Sequence, residues 1–357
     1  MRKESLKFLE KLLEAPSPSG YEQPAQRVFR EYAGKLCDEL TTDVMGNVFA
    51  CIKGKGQNLP RVMVVGHTDE IGLQIKYIDD KGFLYFAAVG GVDAHLTPGK
   101  KVNIHTLKGT VVGVIGKKPI HLMDNKDRET VVKLEAQYID IGAKDKKEAQ
   151  KLVTVGDAVT FDSAFTRLAG DRVSSRGFDD KAGCFVVAEV LRLVRESRKK
   201  LSIDLYGVSS VQEEIGLRGG TTSSYTVNPD VGICVEVDFA TDQPDVEKKH
   251  NGEVSLGKGP ILTRGANINP RLFELLAGAA EKEKIPVQFT ATPRATGTDA
   301  NVMQISRNGV ATALVKIPLR YMHTPVETLS LSDLENAARL IVAALGRITS
   351  KAEFVPQ

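Results

Sequence analysis

The sequence predicts an α/β protein whose mixed sheet is interrupted by an inserted β-rich segment. Short β-branched runs such as 61–66 and 231–238 alternate with amphipathic helices, as in sheets buried on both faces. From about residue 73 to 164, short alternating runs separated by turns replace this pattern. A chain of 357 residues is long enough for two domains. We therefore expect an α/β domain formed by 1–72 and 165–357, and a β-rich domain over 73–164.

The elements before the insertion are two helices, a hairpin and one buried strand. In chain order these are helices over 4–14 and about 23–32, a hairpin over 40–53, and a strand over 61–66. Leucines recur on one face of the first helix, and the segment APSPSG ends it. Gly46 and Asn47 mark the turn of the hairpin. The strand ends directly before His67, which places that side chain at a sheet edge.

The insertion and the part that follows it differ in their hydrophobic periods. In the insertion, strands are predicted over 73–78, 83–88, 110–115 and 158–161, with one short helix near 146–152. After it, strands are predicted over 203–209, 231–238 and 310–317, and helices over 184–194, 270–284, about 299–306 and 332–347. Pro270 stands in the first turn of its helix, a position that proline favours.

Composition limits the classes of partner and the compartment. A net charge of +3 without a clustered basic face predicts no nucleic-acid binding. No run of about 18 apolar residues occurs, so we expect no membrane span, and the N-terminus lacks an apolar signal core. The four cysteines form no CxxC pair, which is typical of a reduced, cytoplasmic protein rather than a disulfide framework.

Potential metal ligands recur where predicted strands end or helices begin. They are His67, Asp179, Glu213, Glu214, Glu236 and His323. In open α/β sheets, ligands gather outside the carboxyl ends of the strands. The mixture of imidazole and carboxylate suits Zn²⁺, Co²⁺ or Mn²⁺. Each residue alone is weak evidence, but together they predict a metal site.

Several residues near these ligands are expected to support them or the local backbone. Asp69 stands two residues after His67, so its carboxylate can reach the ring nitrogen that does not face the metal. Asp180 is expected to be structural, at a helix start. Thr298 and Asp299 are expected to cap a helix, with lining of the substrate pocket as the lesser alternative. His121 in the insertion is expected in a structural turn, with a reach into a neighbouring subunit's site as the alternative.

Six motifs taken in order resemble the M42 family of metallo-aminopeptidases, which includes the glutamyl and the tetrahedral (TET) aminopeptidases. They are HTDEIG at 67–72, DDKAG at 179–183, EEIG at 213–216, ATD at 240–242, GTDAN at 297–301 and RYMHTP at 320–325. The resemblance spans nearly the whole chain. It implies a phosphorylase/hydrolase-like catalytic domain that hydrolyses peptides at their N-terminus with two divalent metal ions, Zn²⁺ or Co²⁺ before Mn²⁺. It also implies that the β-rich insertion mediates dimerisation and that dimers build a tetrahedral dodecamer.

The resemblance also implies a role for each ligand. His67 would bind one metal ion, Asp179 would bridge both, and Glu214 and His323 would bind the second. Glu213 would be the general base that takes a proton from the attacking water. The family's remaining ligand is an Asp, and its position here falls on Glu236. Asp238 stays the alternative, although two residues along a strand separate the two carboxylates by about 6.6 Å.

Three other functions share some of these features. A metal-dependent deacylase or carboxypeptidase-like hydrolase would use the same metal core, so the sequence leaves it open. A glycosidase using Glu213 and Glu214 does not explain the histidines, and 0 Trp with 6% aromatic residues offers few platforms for sugars. The sequence argues against a non-catalytic peptide-binding or assembly protein with a decayed site, because the set of proposed ligands and the base is complete. The preferred N-terminal residue and the native metal are not evident from the sequence.

Overall fold

In a computed structural model that describes residues 1–356, every predicted helix and strand is present, together with further elements that the sequence did not predict. Over these residues the α-helices are α1 (Lys3–Glu14), α2 (Gln23–Ala33), α3 (Asn125–Glu129), α4 (Lys146–Leu152), α5 (Phe178–Ser197), α6 (Arg218–Val227), α7 (Lys248–Asn251), α8 (Pro270–Glu283), α9 (Asp299–Gln304) and α10 (Leu331–Leu345). The strands before the long helix α5 are β1 (Glu39–Thr42), β2 (Val48–Ile52), β3 (Arg61–His67), β4 (Gly72–Ile78), β5 (Leu84–Val89), β6 (Lys101–Thr106), β7 (Gly109–Gly116), β8 (Tyr138–Asp140), β9 (Ala158–Phe161), β10 (Thr166–Arg167) and β11 (Arg172–Ser175). Those after it are β12 (Asp204–Ser210), β13 (Val231–Phe239), β14 (Ile261–Gly265), β15 (Gln288–Thr292), β16 (Ala311–Leu319) and β17 (Glu327–Ser330).

An eight-stranded mixed sheet carries the main core, in the order β1-β2-β12-β3-β13-β16-β14-β15. Its four central strands, β12, β3, β13 and β16, are mutually parallel, whereas β2 joins them antiparallel on one side and β14 on the other. These central strands are buried along almost their whole length, which explains their continuous β-branched sequences. The predicted mixed α/β fold is confirmed.

Helices cover both faces of this sheet. Gly66 on β3 faces α5 so closely that an added Cβ would lie 2.6 Å from the carbonyl carbon of Gly183. Gly232 on β13 is in register with Met63 on β3. Met63 and Gly66 are three residues apart, so Met63, and Gly232 with it, faces the opposite side of the sheet from Gly66. An added Cβ on Gly232 would meet the Met303 side chain of α9 at 2.4 Å. Glycine at these two positions thus lets the helices above and below approach the strands.

The insertion forms a closed barrel in the strand order β4-β5-β8-β7-β6-β9, with an apolar core of its own. Two of its strands, β6 and β8, and the short helix α3 were not expected from the sequence, which predicted only the helix near 146–152. β8 has three residues, too few for a period-2 pattern to emerge. The bounds of the two predicted domains stay a prediction.

The carboxyl ends of the central parallel strands converge on one edge of the sheet. β3 ends at His67, β13 carries Glu236 near its end, and the loop after β16 carries His323. A small antiparallel sheet, β10-β11-β17, lies beside this edge and pairs Ser175 with Glu327. Within residues 1–356, no helix combines the length and apolarity that a bilayer crossing demands.

Candidate metal centre

Asp179 lies between the two histidines that the sequence singled out. Its Oδ1 is 3.2 Å from Nε2 of His67, and its Oδ2 is 3.3 Å from Nε2 of His323. The peptide bond between Asp179 and Asp180 is cis, and Asp179 is buried at the start of α5. One carboxylate therefore offers an oxygen to each of two neighbouring imidazole nitrogens, as a bridging ligand does.

The glutamates complete two groups around this bridge. Glu236 Oε1 lies 3.6 Å from Nε2 of His67, and Glu214 Oε2 lies 3.5 Å from Nε2 of His323. Glu213 Oε2 is 3.7 Å from Nε2 of His67, on the same side as Glu236. All six predicted ligand and base residues are thus brought together within one cleft.

Geometry favours Glu236 over Asp238 as the ligand on β13. The Asp238 carboxylate forms an ion pair with the Lys316 ammonium group on the adjacent strand β16. Glu236 belongs to a group with His67 and Asp180 whose potential ligand atoms all lie within 4.8 Å of one another. Both carboxylates line the cleft, but only Glu236 points towards the imidazole.

Asp180 has the structural contacts expected of it. Its Oδ1 accepts a hydrogen bond from the backbone N–H of Gly183 at 2.9 Å, the pattern of a helix N-cap. Its Oδ2 accepts from the backbone N–H of His67 at 3.2 Å, so the same side chain holds the end of β3. Burial and the Glu236 carboxylate raise the pKa of Asp180 well above its usual range.

The expected contact between Asp69 and His67 is made mainly by the main chain. Nδ1 of His67 lies 3.0 Å from the Asp69 carbonyl oxygen and 3.4 Å from Asp69 Oδ1. The carboxylate instead accepts hydrogen bonds from the backbone N–H groups of Glu213 at 3.0 Å and Glu214 at 3.1 Å. The Ser19 hydroxyl also donates to Oδ2 at 2.6 Å. Asp69 therefore orients the imidazole and both glutamates, a wider role than the sequence predicted.

The ring orientation of His323 depends on the barrel. Its Nδ1 lies 3.0 Å from the carbonyl oxygen of Gly91, in the loop after β5. A hydrogen bond from Nδ1–H to that carbonyl leaves Nε2 free to face Asp179. An added Cβ on Gly91 would lie 2.8 Å from Nδ1, so only glycine lets the loop approach this closely.

Glu327 is a functional residue that sequence reasoning missed. Its Oε2 accepts a hydrogen bond from the backbone N–H of Asp179 at 3.0 Å, and its Oε1 accepts from that of His323 at 2.9 Å. The side chain is buried at the start of β17. The one available signal was its position four residues after His323, within the same loop and strand.

Buried negative charge dominates the electrostatics of the cleft. Burial raises the pKa of Glu213 to about 10, and burial together with the Asp179 carboxylate raises the pKa of Glu214 well above its usual range. Burial alone would lower the pKa of His67, but the Glu236 and Glu213 carboxylates raise it well above 6.5. Asp179 is the exception, because hydrogen bonds from His323 and His67 outweigh burial and lower its pKa.

This donor set fits divalent cations. Oε1 of Glu214 is buried without a hydrogen-bond partner among the described residues, although a buried carboxylate oxygen normally has one. Buried carboxylates that repel one another are stabilised by metal coordination. Imidazole nitrogens and carboxylate oxygens in two adjoining groups are the ligands that Zn²⁺ and its neighbours prefer.

The cleft around these ligands holds a cavity of about 530 Å³. Thr298 lines it, and its hydroxyl contacts that of Thr296 at 2.8 Å rather than capping α9. Asp299 is buried behind the cleft, where its Oδ2 accepts a hydrogen bond from the Ser210 hydroxyl at 2.6 Å. Thr298 occupies the N-cap position of α9, as predicted, but its side chain makes no capping hydrogen bond. The predicted cap from Asp299 is not observed, because its carboxylate is engaged by the Ser210 hydroxyl.

His121 is not among the residues that line the cleft. It is exposed in a single 3₁₀ turn, Ile120–Leu122, of the barrel segment. This agrees with the expected structural turn, and its reach towards a second subunit stays a prediction.

A family model described as M42 glutamyl aminopeptidase matches residues 46–340. The chain belongs to peptidase family M42. It is 39% identical over 352 residues to the lysyl aminopeptidase of Pyrococcus furiosus, covering 98% of this chain and 99% of that protein. The structure of a TET aminopeptidase from Thaumarchaeota archaeon SCGC AB-539-E09 is 34% identical with a TM-score of 0.93, covering 98% and 97% of the two chains. A Pyrococcus horikoshii TET1 peptidase, described as assembling into a tetrahedron or a large octahedral shell, is 32% identical with a TM-score of 0.84, covering 96% and 100%.

This M42 protein is therefore a metal-dependent aminopeptidase, so the predicted family, fold and activity are confirmed. Divalent metal ions are implied by the family, and the two ligand groups of the aminopeptidase are consistent with them. The role of each ligand stays a prediction.

Proposed function

We propose that this aminopeptidase uses two divalent metal ions and that Asp179 would bind both of them. His67 and Glu236 would hold one ion, and His323 and Glu214 would hold the other. The observation that carries this proposal is the position of Asp179, whose two oxygens lie 3.2 and 3.3 Å from the Nε2 atoms of the two histidines. Zn²⁺ or Co²⁺ suits this donor set best, and Mn²⁺ is a further candidate.

Bound divalent ions supply Lewis-acid polarisation of a carbonyl oxygen and lower the pKa of water. The residue proposed as the general base is Glu213, which lines the cleft beside His67 and whose backbone N–H is held by Asp69. Its carboxylate takes a proton from the attacking water as the new C–O bond forms. It then returns that proton to the leaving amine as the C–N bond breaks. The nucleophile is water, so no co-reactant beyond the peptide is needed.

The ligand and base assignments are tested by a matched pair of variants. Glu213→Gln is expected to keep about two metal ions per chain by elemental analysis while turnover of Leu-p-nitroanilide falls by at least about 10²-fold. Glu214→Gln is expected to lose metal as well as activity, because it removes a ligand oxygen. If Glu213→Gln loses metal and Glu214→Gln retains it, the two assignments are reversed.

Metal dependence is tested on the wild-type enzyme. We expect EDTA to abolish hydrolysis of aminoacyl-p-nitroanilides, and Co²⁺ or Zn²⁺ to restore it. Full activity after complete metal removal contradicts the mechanism. N-acetylated peptides are the control for the deacylase alternative, because an aminopeptidase leaves them intact whereas a deacylase or endopeptidase cleaves them.

We also propose that the chain forms a homo-oligomer in which barrels pair into dimers and dimers assemble into a dodecamer. The tetrahedral assembly of the TET1 relative supports this, as do exposed apolar side chains in the barrel segment, including Val112, Val114 and Leu122. Light scattering after size exclusion is expected to give a mass near twelve chains. Leu122→Glu is expected to reduce that mass, whereas Val44→Glu, at an even more exposed apolar site in the β1–β2 turn, is not.

We also propose a cytoplasmic location, which the state of the thiols supports. All four cysteines are free, and three of them are buried. Free thiols of this kind favour a reducing compartment. Cell fractionation with an antibody to the chain is the measurement that checks it.

A further inference from the structure

One charged pair lies in the catalytic cleft without belonging to the ligands or the base. Asp238 and Lys316 both line the cleft, and the Lys316 ammonium group pairs with Asp238 Oδ2. We propose that this pair neutralises the pocket that receives the side chain of the substrate's N-terminal residue, and so directs the enzyme to uncharged N-terminal residues. The inference rests on the proposed function, since it assigns a substrate class to the same cleft.

The pair sits next to the reacting centre. β13 and β16 are adjacent and parallel, and Lys316 is in register with Glu236. Asp238 follows Glu236 by two residues and points to the same face of the sheet, about 6.6 Å further along the strand. A side chain that extends from a residue bound at the ligands reaches that distance. On this proposal the two charges lie beside the substrate's first side chain rather than at the scissile bond.

Asp238 and Lys316 are also the charged residues of the cleft lining to which no catalytic or metal-binding role is given. Among the described residues that line it, Lys316 is the single Lys or Arg, and every carboxylate other than Asp238 is a proposed ligand or the base. The Asp238 side chain is 23% exposed and that of Lys316 is 8% exposed, so Asp238 is accessible from the cleft. An unpaired charge at this place would act strongly on a substrate that excludes water.

The walls around the pair are apolar or uncharged. Leu217, Phe239, Ala295 and Met322 supply apolar surface, and Thr292 supplies a hydroxyl. Apolar walls with a neutral ion pair favour an aliphatic side chain, and they leave neither Lys nor Glu an unpaired partner of opposite charge. Removing either member of the pair would free its partner to bind a substrate charge.

The test compares Leu-, Lys- and Glu-p-nitroanilide on the metal-loaded full-length enzyme and three variants. We expect the wild type to prefer Leu. Asp238→Asn frees Lys316 and is expected to raise the Glu-to-Leu ratio of kcat/KM at least about tenfold. Lys316→Met frees Asp238 and is expected to raise the Lys-to-Leu ratio by a similar factor. The double variant is expected to return to the preference for Leu.

Ratios between substrates are independent of the fraction of enzyme that folds, so a poorly folding variant still gives a result. Unchanged ratios in all variants overturn the inference. An equal loss of kcat/KM on all three substrates also overturns it, because the pair would then be structural. Loss of bound metal in Asp238→Asn overturns it as well, because Asp238 would then be a metal ligand. The inference is also overturned if the variants change the ratio of kcat/KM between the dipeptides Leu-Lys and Leu-Glu, because the pair would then face the second residue of the substrate. Metal-dependent hydrolysis of Leu-p-nitroanilide by the wild type upholds the proposed function whichever way these ratios fall.

Discussion

The carboxylate of Asp69 accepts a hydrogen bond from the backbone N–H of Glu213 at 3.0 Å. Its second oxygen accepts from the next N–H, that of Glu214, at 3.1 Å. The side chain is fully buried, and burial would raise its pKa, but hydrogen bonding and the charge of His67 lower it. An ionised carboxylate is therefore held where it fixes the backbone of the proposed base and of a proposed ligand.

We expect Asp69→Asn to lower kcat by about 10- to 100-fold. The amide has only one acceptor oxygen, so it can accept from the backbone N–H of Glu213 or of Glu214 but not from each with a separate oxygen. Steady-state kinetics with Leu-p-nitroanilide measures the effect. Ser19→Ala is the matched control, since it removes a hydroxyl donor to Asp69 but leaves both backbone bonds in place. A control variant that loses as much activity as Asp69→Asn would contradict the role given to the backbone bonds.

A second prediction concerns Glu327, which accepts hydrogen bonds from the backbone N–H groups of Asp179 and His323. We expect Glu327→Gln to weaken metal binding by about 10- to 100-fold, because the amide NH₂ group would face one of the N–H donors. Calorimetric titration of the apo-enzyme with Zn²⁺ measures this independently of activity.

Asp333 offers a matched control for Glu327. It is buried on α10 and accepts hydrogen bonds from the backbone N–H groups of Gly259 at 2.8 Å and Gly257 at 2.7 Å. Asp333→Asn and Glu327→Gln are expected to lower the free energy of unfolding by similar amounts. Only Glu327→Gln is expected to lower the affinity for Zn²⁺. Equal losses of affinity in both variants would mean that Glu327 acts only on folding.

The sequence reveals the proposed ligands and one group that holds them, Asp69, but not the others. His67, Asp179 and Glu236 could be found because strand ends and helix starts are legible as local patterns, and parallel strands bring those ends to one edge. Glu327 could not, because its partner Asp179 becomes a neighbour only when β17 pairs with β11, a contact between segments about 150 residues apart.

Two other features lay beyond the sequence for similar reasons. The ion pair of Asp238 with Lys316 requires the register between β13 and β16, which no local period encodes. The approach of Gly91 to His323 depends on how the barrel packs against the sheet. Local signals therefore predict which side chains carry the chemistry, and non-local packing decides what orients them.

Metal removal is expected to lower the thermal stability of the wild type. Ligands that bind only the folded state stabilise it by about 2.7 kcal/mol at one hundred times the dissociation constant. Glu236→Gln is the informative variant, because it removes one of the mutually repelling carboxylates along with a proposed ligand oxygen. We expect the metal-free Glu236→Gln variant to be at least as stable as the metal-free wild type. We expect Zn²⁺ to raise its melting temperature less than it raises that of the wild type. A wild-type melting temperature unchanged by EDTA would contradict this.

A final prediction concerns a buried charge cluster whose members do not line the cleft. Glu70 pairs with Arg176 and, at 2.9 Å, with the Lys181 ammonium group, and the backbone N–H of Ser17 donates to it at 2.9 Å. Burial would raise the pKa of Glu70, but the charges of Arg176 and Lys181 outweigh it and lower that pKa to about 2. We expect Glu70→Gln to destabilise the protein by about 3–5 kcal/mol, because it leaves two buried cations without their partner.

The same cluster predicts how stability depends on pH. Because the folded pKa of Glu70 is below its unfolded value, its contribution is fully present above about pH 4.5 and is lost as the pH falls towards 2. Urea unfolding at pH 7, 5 and 3 is therefore expected to show a smaller loss of stability in Glu70→Gln than in the wild type. Glu253→Gln, at an exposed pair with Lys248, serves as the control and should leave stability close to that of the wild type. Parallel pH profiles for the wild type and Glu70→Gln would show that this carboxylate does not carry the acid sensitivity.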